Sequence, residues 1–253
     1  MNTSTIRSAI VTGAGSGIGR GCAQALIADG WRVAFVGRRR EALDESVAGC
    51  GEGRDRVIAV PTDVSDPVSV ADLFNTVKLR WGRLDLLFNN VGVSSMSALL
   101  EDLPFDQWQA SVAANLTGTF LCTQQAFRLM KAQTPQGGRI INNGSISAHA
   151  PRPNSIAYTA TKHAVTGITK TAALDGRKYG IAVGQIDIGN VASDMTAKMV
   201  AGVPQADGSI KPEPRMAMDS VVATFMTMAR LPLESNILNV TVMATAMPFV
   251  GRG

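Results

Sequence analysis

Short runs of apolar, often β-branched residues alternate along this chain with longer stretches in which apolar positions recur at helical spacing. Residues 8–11, 32–36, 57–60, 84–88, 139–142, 182–188 and 238–243 are largely continuous apolar runs, without strict alternation. Strands covered on both faces read this way. Between them, 17–29, 67–81, 104–131, 155–179 and 217–230 read as helices. Gly30 and Gly82 suit the C-terminal ends of the first two. Ser65-Asp66-Pro67 supplies a capping residue followed by a proline for the first turn.

Repeated strand–helix alternation predicts βαβ units with right-handed crossovers. The expected fold class is therefore α/β: a doubly wound, seven-stranded, mostly parallel sheet with helices on both faces, in a single Rossmann-like domain over residues 1–253. No internal repeat, low-complexity segment or interdomain linker breaks the pattern. Residues 190–215 follow the sixth strand without clear periodicity and contain Gly202, Pro204, Gly208, Pro212 and Pro214, together with apolar Met195, Met199 and Val200. Open α/β sheets bind ligands beyond the carboxyl ends of their strands. A long irregular segment there is expected to be a substrate lid.

Composition narrows the setting. The 253 residues are 45% hydrophobic and 17% charged, which supplies a large core and excludes a disordered chain. Cys22, Cys50 and Cys122 lie far apart, which argues against a disulfide scaffold and fits a reducing compartment. With only His149 and His163, no metal centre is expected. Residues 1–8 lack a signal-peptide core, and the late apolar stretch 237–250 is interrupted by Asn239, Thr241, Thr245 and Pro248. A membrane span needs about 20 apolar residues, so a cytoplasmic protein with no membrane partner is expected. The net charge of +4 is scattered except at Arg38-Arg39-Arg40. Basic residues do not alternate with stacking aromatics, so nucleic acid is not an expected partner. A phosphorylated small molecule would suit the same mild excess.

The first strand runs into a glycine-rich turn whose pattern is G-x-x-x-G-x-G, from Gly13, Gly17 and Gly19, with a helix behind it. Such a turn lets the N–H groups around Ser16, Gly17 and Ile18 approach a pyrophosphate at the positive end of the helix. The second strand ends at Gly37-Arg38, where dinucleotide folds often carry a carboxylate for the adenosine ribose. An Arg here neutralises a 2′-phosphate and favours NADP(H) over NAD(H).

These features are joined, in order, by Asp63, Asn89-Asn90-Val91-Gly92, Asn115, Ser145 and Tyr158-x-x-x-Lys162. Together they resemble the short-chain dehydrogenase/reductase family over about residues 6–245. The residue chemistry agrees. Tyr158 and Lys162 share one helix face. An ammonium so placed favours the phenolate, which lets Tyr158 serve as general acid or base. Ser145, at the end of the fifth strand, can polarise the substrate oxygen.

The resemblance implies further roles. Lys162 would also bond the nicotinamide ribose, and Asn115 would hold a water in a proton relay. Asp63 and Val64 would contact the adenine, and Asn90 and Gly92 the adenosine side. Gly189, Val191 and Ser193 would hold the nicotinamide carboxamide. Ile188 and Val91 depart from the family's usual Pro and Ala. His149 is expected at the rim of the substrate pocket and His163 in packing.

The implied function is hydride transfer between NADP(H) and a carbonyl or secondary alcohol, either 3-oxoacyl-reductase-like or acting on general ketones and alcohols. The alternative is a non-catalytic NADP(H)-binding regulatory module. A homo-oligomer, tetramer or dimer, is implied by the resemblance, and the many small residues of 155–179 would permit close helix packing.

Overall fold

The computed structural model describes residues 6–94 and 97–250. Among them, seven strands form one parallel sheet in the order β3-β2-β1-β4-β5-β6-β9. The strands are β1 (Ser8–Thr12), β2 (Arg32–Gly37), β3 (Val57–Pro61), β4 (Leu86–Asn89), β5 (Gly138–Asn143), β6 (Ile181–Ile188) and β9 (Asn239–Val242). The order reverses between β1 and β4, which opens a crevice at their carboxyl ends.

Helices cover both faces. On one side α1 (Gly17–Ala28), α2 (Arg40–Ala48) and α7 (Met218–Arg230) bury Ala23, Leu26, Leu43, Val221 and Phe225 against the sheet. Phe88 of β4 meets Phe225 of α7 with ring centroids 4.5 Å apart. On the other side α3 (Pro67–Trp81), α5 (Gly118–Ala132) and α6 (Ile156–Gly176) bury Val70, Leu73, Phe74, Cys122, Ala126 and Ala172. Both residues predicted to bound α3 do so. Asp66 accepts from the N–H groups of Val68 and Ser69 at 3.1 Å each, and Gly82 ends the helix in the left-handed conformation.

Four details differ from the sequence expectation. Helix α2 was not anticipated: only Leu43 and Ser46 are buried on it, so it carries little apolar periodicity. The expected helix 104–131 is divided into α4 (Phe105–Ser111), a π-helical turn (Val112–Thr117) and α5. The fourth strand begins later than expected, because Gln133 Oε1 and Nε2 bond the Leu84 N–H and carbonyl instead. The segment 190–215 is also not structureless. It contains a 3-10 turn (Asp194–Val200) and a two-stranded antiparallel hairpin, β7 (Val203–Pro204) with β8 (Ile210–Lys211). No helix among the described residues is long and apolar enough to cross a membrane.

Candidate active site

At the nucleotide end of the crevice, β1 turns through Gly13–Ser16 into α1. Ser16 precedes the helix with no side-chain capping bond, and the first turn carries no acidic residue. The leading N–H groups therefore have no cap or carboxylate from their own turn, and the helix dipole suits a phosphate. Gly17 sits at φ +51°, with open space where a Cβ would project. At Gly19 a Cβ would lie 2.2 Å from the Gly13 carbonyl oxygen, so only glycine permits this approach of helix to turn. Asn90 braces the turn: Nδ2 donates to Thr12 O at 3.0 Å, and its N–H to Thr12 Oγ1 at 2.9 Å. A pyrophosphate fits this cradle. Ile18 packs against the core behind it.

Arg38 is exposed just past β2. Across from it, Ser65 donates its hydroxyl and N–H to Asp63 Oδ1 at 2.6 and 2.9 Å. These bonds, with a smaller contribution from the Arg38 charge, hold the Asp63 carboxyl below the usual range. Arg38 and Asp63 thus share one corner. The Val64 side chain is instead buried against Gly118, so only its backbone is free to face an adenine.

The expected catalytic residues converge at the other end. Lys162 is buried on α6, and its Nζ donates to Asn143 O at 2.8 Å. The same Nζ lies 5.6 Å from the centroid of the Tyr158 ring, one turn earlier. An ideal Cβ at Gly92 would lie 3.7 Å from both Lys162 Nζ and Asn115 Oδ1, which puts these three residues in one place. Asn115 sits in the π-helical turn, a local widening common at functional sites. Its side chain is braced: Oδ1 accepts from Val93 N–H at 2.8 Å, and Nδ2 donates to Val93 O and Thr161 Oγ1 at 3.1 and 3.2 Å. Ser145 caps a short 3-10 turn (Ile146–Ala148) that packs on α6. Its Oγ accepts from Ser147 N–H at 3.1 Å, which leaves the hydroxyl proton free to donate. The Tyr158 hydroxyl has no hydrogen bond among the described residues.

Beyond β6, Met216 N–H donates to Asn190 O at 2.8 Å, and Ala192 N–H to Met216 O at 2.9 Å. The Val191 N–H takes part in neither bond. Ser193 and Thr196 lie within hydrogen-bond reach, with their hydroxyl oxygens 3.4 Å apart. Ile188 is the last residue of β6 and pairs with Val242, and Gly189 N–H donates to Val242 O at 2.9 Å.

Residues 7–203 match the family model described as short chain dehydrogenase. The chain belongs to the short-chain dehydrogenase/reductase family. It is 36% identical over 202 residues to a 3-oxoacyl-[acyl-carrier-protein] reductase of Synechocystis sp., covering 79% of this chain and 81% of that one. It is 34% identical over 238 residues to a trans-4-hydroxycyclohexanecarboxylate dehydrogenase of Sinomonas cyclohexanicum, covering 89% and 90% of the two chains. Its fold superposes on the crystal structure of acetoin dehydrogenase from Enterobacter cloacae with a TM-score of 0.81 at 28% identity, covering 95% of each chain. As a short-chain dehydrogenase/reductase it is an oxidoreductase of alcohol and carbonyl groups that uses a nicotinamide cofactor.

Three features of this family member were not anticipated. Arg152, in the loop between Ser145 and Tyr158, forms an ion pair with Glu213 of the segment 190–215. Asn190 joins both, accepting from Arg152 at 2.9 Å and donating to Glu213 Oε2 at 2.8 Å, while Gln205 donates to Glu213 Oε1 at 3.1 Å. Asp187, fully buried in β6, takes the Ser145 N–H at 3.0 Å. The sequence did hold one signal for it, a charged residue inside an otherwise uncharged run. Finally, His163 is exposed and not packed, bonded only to Thr159 O at 2.9 Å among the described residues. Met216, Met226 and Met228 are core residues, and the Met195 side chain lies outside what is described. The loop 94–103 contains Ser95 and Met96, which also lie outside the described residues.

Proposed function

We propose that this enzyme transfers hydride between NADP(H) and a carbonyl or secondary-alcohol substrate, with Tyr158 exchanging the proton on oxygen. The bound nicotinamide supplies the hydride chemistry. The observation that carries the reading is the buried Lys162 ammonium beside the Tyr158 ring. A fixed positive charge in a water-poor setting stabilises the phenolate, so the hydroxyl can give its proton to a carbonyl oxygen or take one from an alcohol. Ser145 directs its free hydroxyl proton at the same oxygen. Asn115, held rigidly by Val93 and Thr161, forms the inner end of the route by which Tyr158 regains its proton.

The preference for NADP(H) rests on Arg38. It extends from the end of β2 with no carboxylate at Gly37 to repel a 2′-phosphate. The segment 190–215 acts as the substrate lid, latched to the Ser145–Tyr158 loop through Glu213 and Arg152. The named relatives act on both acyl-carrier and small cyclic compounds, and they support a ketone or alcohol as the reacting group. Assembly into a homo-oligomer is supported by a groove of about 820 Å³ along α5 and α6, lined by Phe120, Phe127, Gly167 and Ile168.

The test is turnover. Purified enzyme is mixed with NADPH or NADH and a panel of ketones and 3-oxoacyl thioesters, and cofactor absorbance is followed. Substrate-dependent oxidation, faster with NADPH, is expected. Tight NADPH binding with no turnover anywhere on the panel would replace this reading with that of a cofactor-binding regulator.

A further inference from the structure

Asp187 stands at the carboxyl end of β6 with its side chain wholly buried. Its carboxylate accepts from donors on four sides: Oδ1 from Ser145 N–H at 3.0 Å and Gln185 Nε2 at 2.7 Å, Oδ2 from Asn239 Nδ2 and His149 Nε2, each at 2.7 Å. The chain is shaped for this contact. At Gly144 a Cβ would lie 1.9 Å from Asp187 Oδ1, so the residue before Ser145 must be glycine.

A carboxylate only accepts, so His149 Nε2 carries a proton, and in the neutral form of the ring Nδ1 is the open acceptor. The imidazole is 42% exposed, stands edge-on to Phe249 at 6.5 Å between centroids, and makes no other hydrogen bond among the described residues. One carboxyl group therefore joins the backbone of Ser145 to an oriented imidazole. Both lie at the edge of the sheet where doubly wound folds bind their ligands.

We propose that Asp187 and His149 form a recognition pair beside Ser145. Asp187 is a positioning residue that fixes the serine backbone and the histidine tautomer. His149 Nδ1 accepts a hydrogen bond from a hydroxyl group on the carbon next to the reacting carbonyl. The substrate class this favours is the hydroxyketone, with the vicinal diol as its reduced form. This inference rests on the oxidoreductase reading above and adds the class of substrate to it.

The experiment compares kcat/KM for 1-hydroxybutan-2-one with that for butan-2-one at pH 8, in the parent enzyme and three variants. The parent is expected to prefer the hydroxyketone. His149→Phe keeps a ring against Phe249 but removes the acceptor, and should lower the preference about tenfold, the worth of one hydrogen bond. His149→Gln restores an acceptor and should recover part of it. Asp187→Asn should lower the preference as well, since it releases the tautomer, and should also reduce kcat on both ketones through Ser145. A parent without preference, or variants in which both ketones decline in step so that the ratio stays within about twofold, would overturn the proposal. A parent that reduces neither these ketones nor the wider panel would overturn the reductase reading itself, a distinct outcome.

Discussion

The Lys162 ammonium lies 5.6 Å from the centre of the Tyr158 ring while its Nζ is anchored to Asn143 O at 2.8 Å. The anchor matters as much as the proximity. A lysine held by a main-chain carbonyl at the end of β5 cannot swing away from the phenol. Asn143 in turn donates to Asn90 Oδ1 at 2.8 Å, and Asn90 to Thr12 O, which ties the Lys162 cation to the glycine-rich turn.

Replacing this cation should show in the rate. Lys162→Met keeps the apolar length of the side chain and removes its charge. It is expected to lower kcat by about a hundredfold or more. A kcat within a few-fold of the parent would show that the ammonium does not act on Tyr158.

Cofactor choice is expected to follow one side chain. Arg38→Asp places a carboxylate at the exposed corner beside Asp63 and should raise KM for NADPH about tenfold or more relative to NADH. Steady-state kinetics with both cofactors measure the ratio. If it does not move, Arg38 is a solvated helix start and the 2′-phosphate is recognised elsewhere or not at all.

The latch between the lid and the Ser145–Tyr158 loop should leave a mark on stability. Burial alone would push the Glu213 carboxyl up, but hydrogen bonds from Asn190, Arg152 and Gln205 outweigh it and hold the group below its ordinary range. A carboxyl lowered by folding adds stability above its unfolded value and loses it as pH falls through the folded value. The melting temperature should therefore drop on acidification below the usual glutamate range. Glu213→Gln should flatten that drop, and Glu213→Ala should cost about 3 kcal/mol at neutral pH by leaving the Arg152 charge without its carboxylate. Thermal melts from neutral to acid pH test this; parallel curves for parent and Glu213→Gln would contradict it.

How much of this could be read beforehand depended on whether the relevant contact was local. The strands were legible because burial on both faces leaves continuous apolar runs such as Ala9, Ile10 and Val11. Helix α2 was not, since most of it faces solvent. The π-helical turn around Asn115 is a change of backbone register and leaves no trace in residue type. Tyr158 and Lys162 were legible from a spacing of one helical turn. Arg152 and Glu213 are 61 residues apart, and Asp187 and Ser145 are 42 apart. Those pairs exist only once the sheet order is known, so the sequence could offer Asp187 only as an oddity inside a buried strand.

The central claim is that the Tyr158 hydroxyl exchanges the proton, and removing that single oxygen tests it most directly. Tyr158→Phe keeps the ring over which Lys162 sits. In a single-turnover assay with NADPH and the best ketone of the panel, the variant should be slower than the parent by a factor between about a hundred and ten thousand, the range of general acid catalysis. A variant that reduces the ketone within a few-fold of the parent rate would contradict the account.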